Sequence, residues 1–403
     1  MPQSGSLEAT GDLFQPFRLI DADGVVVGPA AAYFRELAAG GRAAATQRSY
    51  GMALLRWWRF LGAVEIGWDQ ATGAEARDFL CWVQLADKPG RPHWRYPGGG
   101  APGTTTVAPG TPNRVTGKRS PGRGYATATV VHCESVLRAF YDFHLEAGTG
   151  PMVNPFPLAR GRRGRANAHH NPMQPFAAER AGRYRPKMAR RIPRQIPDEK
   201  FDELFARLGS HRDRALVAFW VSTGARASEL LGATAGDADP GQQLITVIRK
   251  GTRALQQLPA SPDAFVWLRL YQARLAGLVP AGRDQPLWRT LRRPFRPLTY
   301  DAARAMFTRA NAALGANWTL HDLRHSAAYR MARDPAMALA DLQWVMGHAH
   351  LSTTQRYLNP VPGDVIEAVL AFHARQREHR PGSPPAAGYR AESLAALFGQ
   401  DPL

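Results

Sequence analysis

The chain has 403 residues, enough for two or three domains that each bury a core. Its 51 Lys and Arg against 33 Asp and Glu leave a formal charge of +18, which calls for a polyanionic partner, nucleic acid ahead of an anionic membrane surface. Two cysteines, Cys81 and Cys133, argue against a disulfide framework or a cysteine-ligated metal and read as buried thiols; with no 18-residue apolar run and no secretory pattern at residues 1–14, a soluble, cytoplasmic protein is expected.

Residues 1–29 read as an N-terminal extension. From Ala30 apolar residues recur at helical spacing, with Tyr50, Leu54, Trp57, Trp58 and Leu61 on a helix opened by Thr46 and Ala76, Phe79, Leu80 and Val83 on the next. Between Asp87 and Gly124, 16 of 38 residues are Gly or Pro, which predicts a long, poorly ordered insertion. Helical spacing resumes at Thr127 with Val130, Val131, Leu137, Phe140, Tyr141 and Phe143 and stops at Asn154-Pro155-Phe156-Pro157, closing a helical domain over 30–158. Residues 159–195 carry eleven Lys or Arg and one acid, Glu179; such a linker is either a solvated tether or a strap along phosphates, with Arg160, Arg162, Arg163 and Arg165 as candidate contacts. A second domain spans 196–378. It opens with helices around Phe201–Leu208 and Ala215–Ser222, continues with a strand at Leu244–Ile248, a turn at Arg249–Thr252 and a return strand at Ala254–Leu258, and then becomes helical again. A tail follows at 379–403. The fold class is mainly α with a small β-sheet.

Cleaving a phosphodiester without a metal needs a nucleophile, cations to hold the charge of five-coordinate phosphorus, and an acid for the leaving oxygen. Arginine suits the charge because its planar fork grips two oxygens; lysine suits proton donation because it can release its proton. Arg226 lies in Thr223-Gly224-Ala225-Arg226-Ala227-Ser228-Glu229, just past a glycine that ends one helix and at the start of another, with Glu229 three residues on to orient it. Only five of the basic residues are lysines, so Lys250 at the hairpin tip is a marked choice where a tip could enter a DNA groove, with Arg249 and Arg253 beside it as candidate DNA contacts. In Thr319-Leu320-His321-Asp322-Leu323-Arg324-His325, Thr319 is a helix cap and spacing sets His321, Arg324 and His325 on one face. Paired histidines at i,i+4 also suit zinc, but no third ligand of the usual kind accompanies them. Leu342, Val345 and Met346 form a core stripe, Gly347 a helix stop, and His348 follows; Tyr357 lies nine residues beyond, in a segment capped by Ser352 or Thr353.

Together these segments resemble the tyrosine recombinase family of phage integrases and Xer recombinases, over roughly 196–377. The resemblance implies a helical core-binding domain and a catalytic domain that clamp duplex DNA as a C. It assigns Arg226 and Arg324 to the scissile phosphate, Lys250 to general acid, His321 to phosphate contact and proton transfer, His348 to a phosphate oxygen, Tyr357 to nucleophile and Glu229 to support of the site. It implies double-stranded DNA as partner, a homotetramer on DNA, a possible accessory or directionality factor, association with the nucleoid through DNA, and no metal or other cofactor. Arg249 departs from the pattern, standing where glycine commonly precedes the lysine. Two other readings share the features: a type IB topoisomerase, with the same chemistry, and a decayed DNA-binding accessory protein. Val365, Ile366, Val369, Leu370 and His373 recur at helical spacing after the tyrosine and offer a stripe for a neighbouring subunit.

Overall fold

The structure, a computed structural model, describes residues 3–89, 108, 110–120, 122–159, 181–187, 194–355, 357, 366, 369–375, 388 and 390–398. It is mainly helical with small antiparallel sheets and divides into two compact units, Met1–Asn113 with Gly117–Arg190 and Arg114–Thr116 with Arg191–Leu403. Among the described residues no helix is long and apolar enough to cross a membrane.

The first unit begins with a hairpin, β1 (Ser6–Ala9) and β2 (Phe17–Ile20), in which Leu7 pairs with Leu19. These residues belong to the core rather than to an extension: Leu19 is fully buried, and Leu7 packs against the same cluster. Among the described residues four helices follow, α1 (Gly28–Ala39), α2 (Ala44–Val64), α3 (Gly73–Leu85) and α4 (Thr127–Glu146). The apolar stripes read from the sequence face inward, with Leu54, Trp57 and Leu61 of α2 packed with Phe79 of α3 and Phe140 and Tyr141 of α4. Trp57 is fully buried because its indole N–H has a partner, the Tyr141 hydroxyl at 2.9 Å, which itself donates to the Trp68 carbonyl at 2.8 Å. Thr46 falls inside α2, not at its start, and Thr72 caps α3 in a reciprocal box with Glu75. Cys133 is buried as expected, whereas Cys81 is exposed, because it lies on the outer face of α3, two residues before the inward-facing Val83. Within the Gly/Pro insertion, the described part holds a small loop closed between Pro112 and Arg119, and Asp87 is bridged to Gly124. Residues 181–187 of the basic linker are folded onto this unit: Arg185 binds Glu134, which is 1% exposed, at 2.9 Å. Arg160, Arg162, Arg163 and Arg165 lie outside the described residues.

The second unit contains α5 (Asp198–Ala206), α6 (His211–Thr223), α7 (Ala227–Leu231), strands β3 (Ala238–Asp239), β4 (Leu244–Ile248) and β5 (Leu255–Pro259), then α8 (Pro262–Leu275), α9 (Tyr300–Ala312), α10 (Leu320–Arg333), α11 (Leu339–Met346), α12 (Leu351–Gln355) and α13 (Ala391–Phe398). The strands are antiparallel in the order β3-β4-β5, with Ile245 opposite Leu258. Helix α6 is buried on most of its surface and packs between α8 and α10, so it is the central element of this core. Ser352 and Thr353, expected as caps, sit inside α12. The C-terminal tail contains α13.

One buried histidine gives the first unit an acid sensitivity. His144, 2% exposed, has Nε2 3.2 Å from the Pro29 carbonyl, which can only accept, so Nε2 carries the proton and Nδ1 accepts from the Thr149 hydroxyl at 2.8 Å. Burial holds its pKa below the ordinary histidine value. The neutral form is thus the folded form: its contribution is complete above about pH 6.5 and is lost as the pH falls toward the depressed folded pKa. Amide exchange within α4, corrected for the intrinsic rate, should accelerate below about pH 6.5, and His144→Gln should shrink that step.

Candidate active site

The site is built around the C-terminal end of α11. A helix leaves its last carbonyls without intrahelical partners, and they carry the negative end of the helix dipole. Three arginines from different elements take them up. Arg249, at the end of β4, donates to the Trp344 carbonyl at 3.4 Å and closely to that of Val345; Arg324, on α10, donates to Met346; Arg226, at the start of α7, donates to Gly347 at 3.4 Å. Arg324 also donates to the carbonyl of Gly224, the left-handed residue (φ 62°) that ends α6. Gly347 ends α11 with φ 57°, and a Cβ there would lie 3.1 Å from the Arg249 guanidinium carbon, so the turn needs glycine for both backbone and space.

Three guanidiniums gathered at one helix end repel one another, and Glu229 offsets this. Its side chain is 1% exposed; Oε1 accepts from the Arg226 guanidinium at 2.8 Å and the Lys250 amide at 3.0 Å, and Oε2 from Arg249 at 3.0 Å and the Arg226 amide at 2.9 Å. Burial pushes this carboxyl up, but the Lys250 and Arg226 amides and the Arg226 guanidinium outweigh it and hold its pKa at about 2. Arg324 is 3% exposed, and burial together with the Arg226 charge lowers its pKa to about 10, which leaves it charged at neutral pH.

The histidines and the tyrosine complete the arrangement. Thr319 and Asp322 cap α10 reciprocally and so fix its first turn. His321 is exposed on that turn, and partial burial of its ring, then the Arg324 and Arg226 charges, lower its pKa. His348 Nε2 lies 3.2 Å from Arg324 Nη2; a guanidinium only donates, so Nε2 accepts, and Nδ1 donates to the Thr354 hydroxyl at 2.9 Å. Tyr357 is 5% exposed among Ala328, Tyr329, Leu342 and Met346, with its ring parallel to that of His348 and its hydroxyl 2.8 Å from Nδ1 of His325.

The structure therefore brings Arg226, Arg324, His348 and Tyr357 together, with Glu229 beneath and His321 beside the arginines. Lys250 and Arg253 are exposed on the hairpin turn and held there by their backbones, the Lys250 amide donating to Glu229 and the Arg253 amide to the Arg249 carbonyl, each at 3.0 Å. Arg249, expected as a groove contact, is instead 4% exposed: the site needs a third donor for the α11 carbonyls, and the pull of Glu229 draws the side chain inward. His325 and Thr354 were missed as site residues. His325 had a visible signal, its place one turn after His321, but Thr354 had none, since its partner is six residues away across a turn. Among the described residues no cluster of three or more His, Cys, Asp or Glu could hold a metal ion.

Residues 197–362 match the phage integrase family. The tyrosine recombinase XerC of Azotobacter vinelandii is 29% identical over 241 residues, 58% of this chain and 70% of that protein. The matches span 48% of the tyrosine recombinase XerC of Rhodospirillum centenum and 77% of that of Halalkalibacterium halodurans. The fold is similar to that of the XerH site-specific recombinase bound to a palindromic difH substrate (TM-score 0.57, 14% identity, 86% of this chain and 85% of that one). It is also similar to that of the Tn1549 transposon integrase in complex with transposon right-end DNA (TM-score 0.54, 15% identity, 86% and 100%).

The buried Glu229 cluster makes a direct prediction. Glu229→Gln leaves Arg249 charged and buried without a counter-charge, which should cost about 3–5 kcal/mol in urea unfolding of the second unit. The stability that the depressed carboxylate supplies is present above its ordinary pKa of 4.5 and lost as the pH falls toward about 2, so this acid limb should vanish in the variant. With its carboxylate-braced arginines, its histidines and a tyrosine set among them, the second unit carries the segment, residues 197–362, that matches the phage integrase family, and the chain is similar to Xer tyrosine recombinases.

Proposed function

We propose that this chain is a site-specific DNA recombinase that cuts and rejoins strands through a 3′-phosphotyrosine on Tyr357. The observation that carries the reading is that Tyr357 is tied to the arginine cluster through Thr354, His348 and Arg324, so nucleophile and phosphate donors form one connected set. Arg226 and Arg324 hold the non-bridging oxygens of the scissile phosphate, where a planar fork already braced by carbonyls and a carboxylate costs little to reorganise. His321 adds a donor at the edge of that oxygen cluster, and His348, whose Nε2 accepts from Arg324, holds that guanidinium in place beside it. As the Tyr357 oxygen bonds to phosphorus, the bond to the 5′-oxygen breaks, and Lys250 delivers the proton that makes it a hydroxyl. The phosphotyrosine keeps the bond energy for rejoining.

Duplex DNA is the partner, in keeping with the +18 charge and with the DNA-bound recombinases of similar fold. In this reading the first unit contributes DNA binding, and Arg160, Arg162, Arg163, Arg165 and Arg253 contact phosphates. A homotetramer on DNA is supported by the apolar stripe after the tyrosine, where Ile366, Val369, Leu370 and Phe372 are all exposed.

Two substitutions separate nucleophile from acid. Tyr357→Phe should bind DNA as wild type and give no covalent complex on a denaturing gel with a nicked suicide substrate. Lys250→Ala should slow cleavage by about 10²–10⁴-fold on ordinary DNA. A substrate with sulfur at the bridging 5′ position has a good leaving group and should restore that variant but not Arg226→Ala. Equal defects of Lys250→Ala on both substrates would remove the acid role.

A further inference from the structure

The tyrosine's proton has to leave as its oxygen attacks, and the arrangement around Tyr357 narrows where it can go. A phenol, with an ordinary pKa of about 10, is almost entirely un-ionised at neutral pH, so a base at hydrogen-bond distance accelerates its attack. Arginine is not a base here, since it holds its proton too tightly. Lys250 is committed to the opposite oxygen in the reaction proposed above. His348 has both ring nitrogens engaged, Nε2 accepting from Arg324 and Nδ1 donating to Thr354. His321 is exposed at the first turn of α10, beside the two arginines. His325 is different: its Nδ1 is 2.8 Å from the Tyr357 hydroxyl.

The local sequence explains that contact. His325 follows Arg324 on α10, so the helix that aims a guanidinium toward His348 also aims the next side chain at Tyr357. The His321 ring stands edge-on against His325, with centroids 4.3 Å apart, and limits its swing. Tyr329, one turn further along, meets the Tyr357 ring edge-on at 5.3 Å and holds the phenol from the other side. The bond is therefore set by ring packing around both partners.

We propose that His325 is the catalytic base of this site, an assignment that rests on the phosphotyrosine reading. In cleavage, the O–H proton of Tyr357 passes to Nδ1 of His325 as the phenolic oxygen bonds to phosphorus and the 5′-oxygen leaves with a proton from Lys250. In rejoining, the 5′-hydroxyl attacks, Lys250 regains its proton, and His325 returns the other to the departing phenolate. This requires the tautomer of His325 with its proton on Nε2. Among the described residues, the titratable and charged groups that face the pair are His321, Arg324 and Tyr329 on α10 itself and His348 from the turn after α11.

The test uses the full chain and the nicked suicide substrate in single turnover. His325→Asn sets an amide oxygen close to the position of Nδ1, so it can keep the hydrogen bond but cannot carry a proton. It should retain wild-type DNA affinity and thermal stability while forming the covalent complex about 10²–10⁴-fold more slowly at pH 7. Its rate should climb steeply with pH as hydroxide replaces the missing base, while the wild type changes little above neutrality. His325→Ala should show the same pH dependence. Wild-type rates in His325→Asn would overturn the assignment, as would a slow His325→Ala whose pH profile follows the wild type, because the residue would then only position the tyrosine. Failure of the phosphotyrosine reading looks different: the wild type would give no covalent complex, or Tyr357→Phe would still give one, and the assignment would fall with it.

Discussion

Glu229 holds a full negative charge where almost no water reaches it, and the rest of the site depends on what it binds. A buried carboxylate is tolerated only when its lone pairs are taken up, and here two amides and two guanidiniums take them. Each comes from an element that must be placed. The Arg226 amide starts α7, the Lys250 amide begins the hairpin turn, and Arg249 reaches on from Glu229 to the end of α11. One side chain thus joins a helix start, a hairpin turn and a helix end. It also lowers the cost of assembling Arg226, Arg249 and Arg324, which in its absence would meet as three like charges. The carbonyls at the end of α11 supply the remaining negative potential, so the cluster is braced on both sides.

The same economy extends to the tyrosine. Arg324 fixes the tautomer of His348, His348 fixes Thr354, and the Tyr357 amide donates to the Thr354 carbonyl at 3.0 Å. Tyr357 is therefore positioned through its backbone by a chain that ends on the arginine cluster, and through its hydroxyl by His325. A change at Arg324 would be felt at Tyr357 without direct contact, and the short α12 carries that linkage.

Much of the catalytic unit was legible in the sequence because its signals are local. The spacing of His321, Arg324 and His325 on one helix turn, the Gly347 stop and the Thr319 cap are each set within a few residues, and α10 and α11 have the expected form. The strand pair at 244–259 was readable from its β-branched run and its turn. What escaped depends on contacts between distant segments. Arg249 looks like any exposed turn residue until Glu229, twenty positions earlier, is seen to draw it inward. The hairpin at 6–20 was hidden because its strands are four residues each and only Leu19 is fully buried, too short a pattern to separate from an extension. Arg185 looked like one more linker cation, although its partner Glu134 is buried on α4. Cys81 went the other way: a residue type that prefers cores was placed by helix phase on an outer face.

In the reaction proposed above Tyr357, and no other nucleophile, becomes bonded to DNA. The direct measurement is to trap the covalent complex on a suicide substrate, digest protein and DNA, and locate the nucleotide adduct by mass spectrometry. The expected result is a 3′-phosphoryl adduct on the peptide that contains Tyr357 and on no other peptide. An adduct on a different tyrosine, on a serine or on a histidine, with the Tyr357 peptide recovered unmodified, would contradict it.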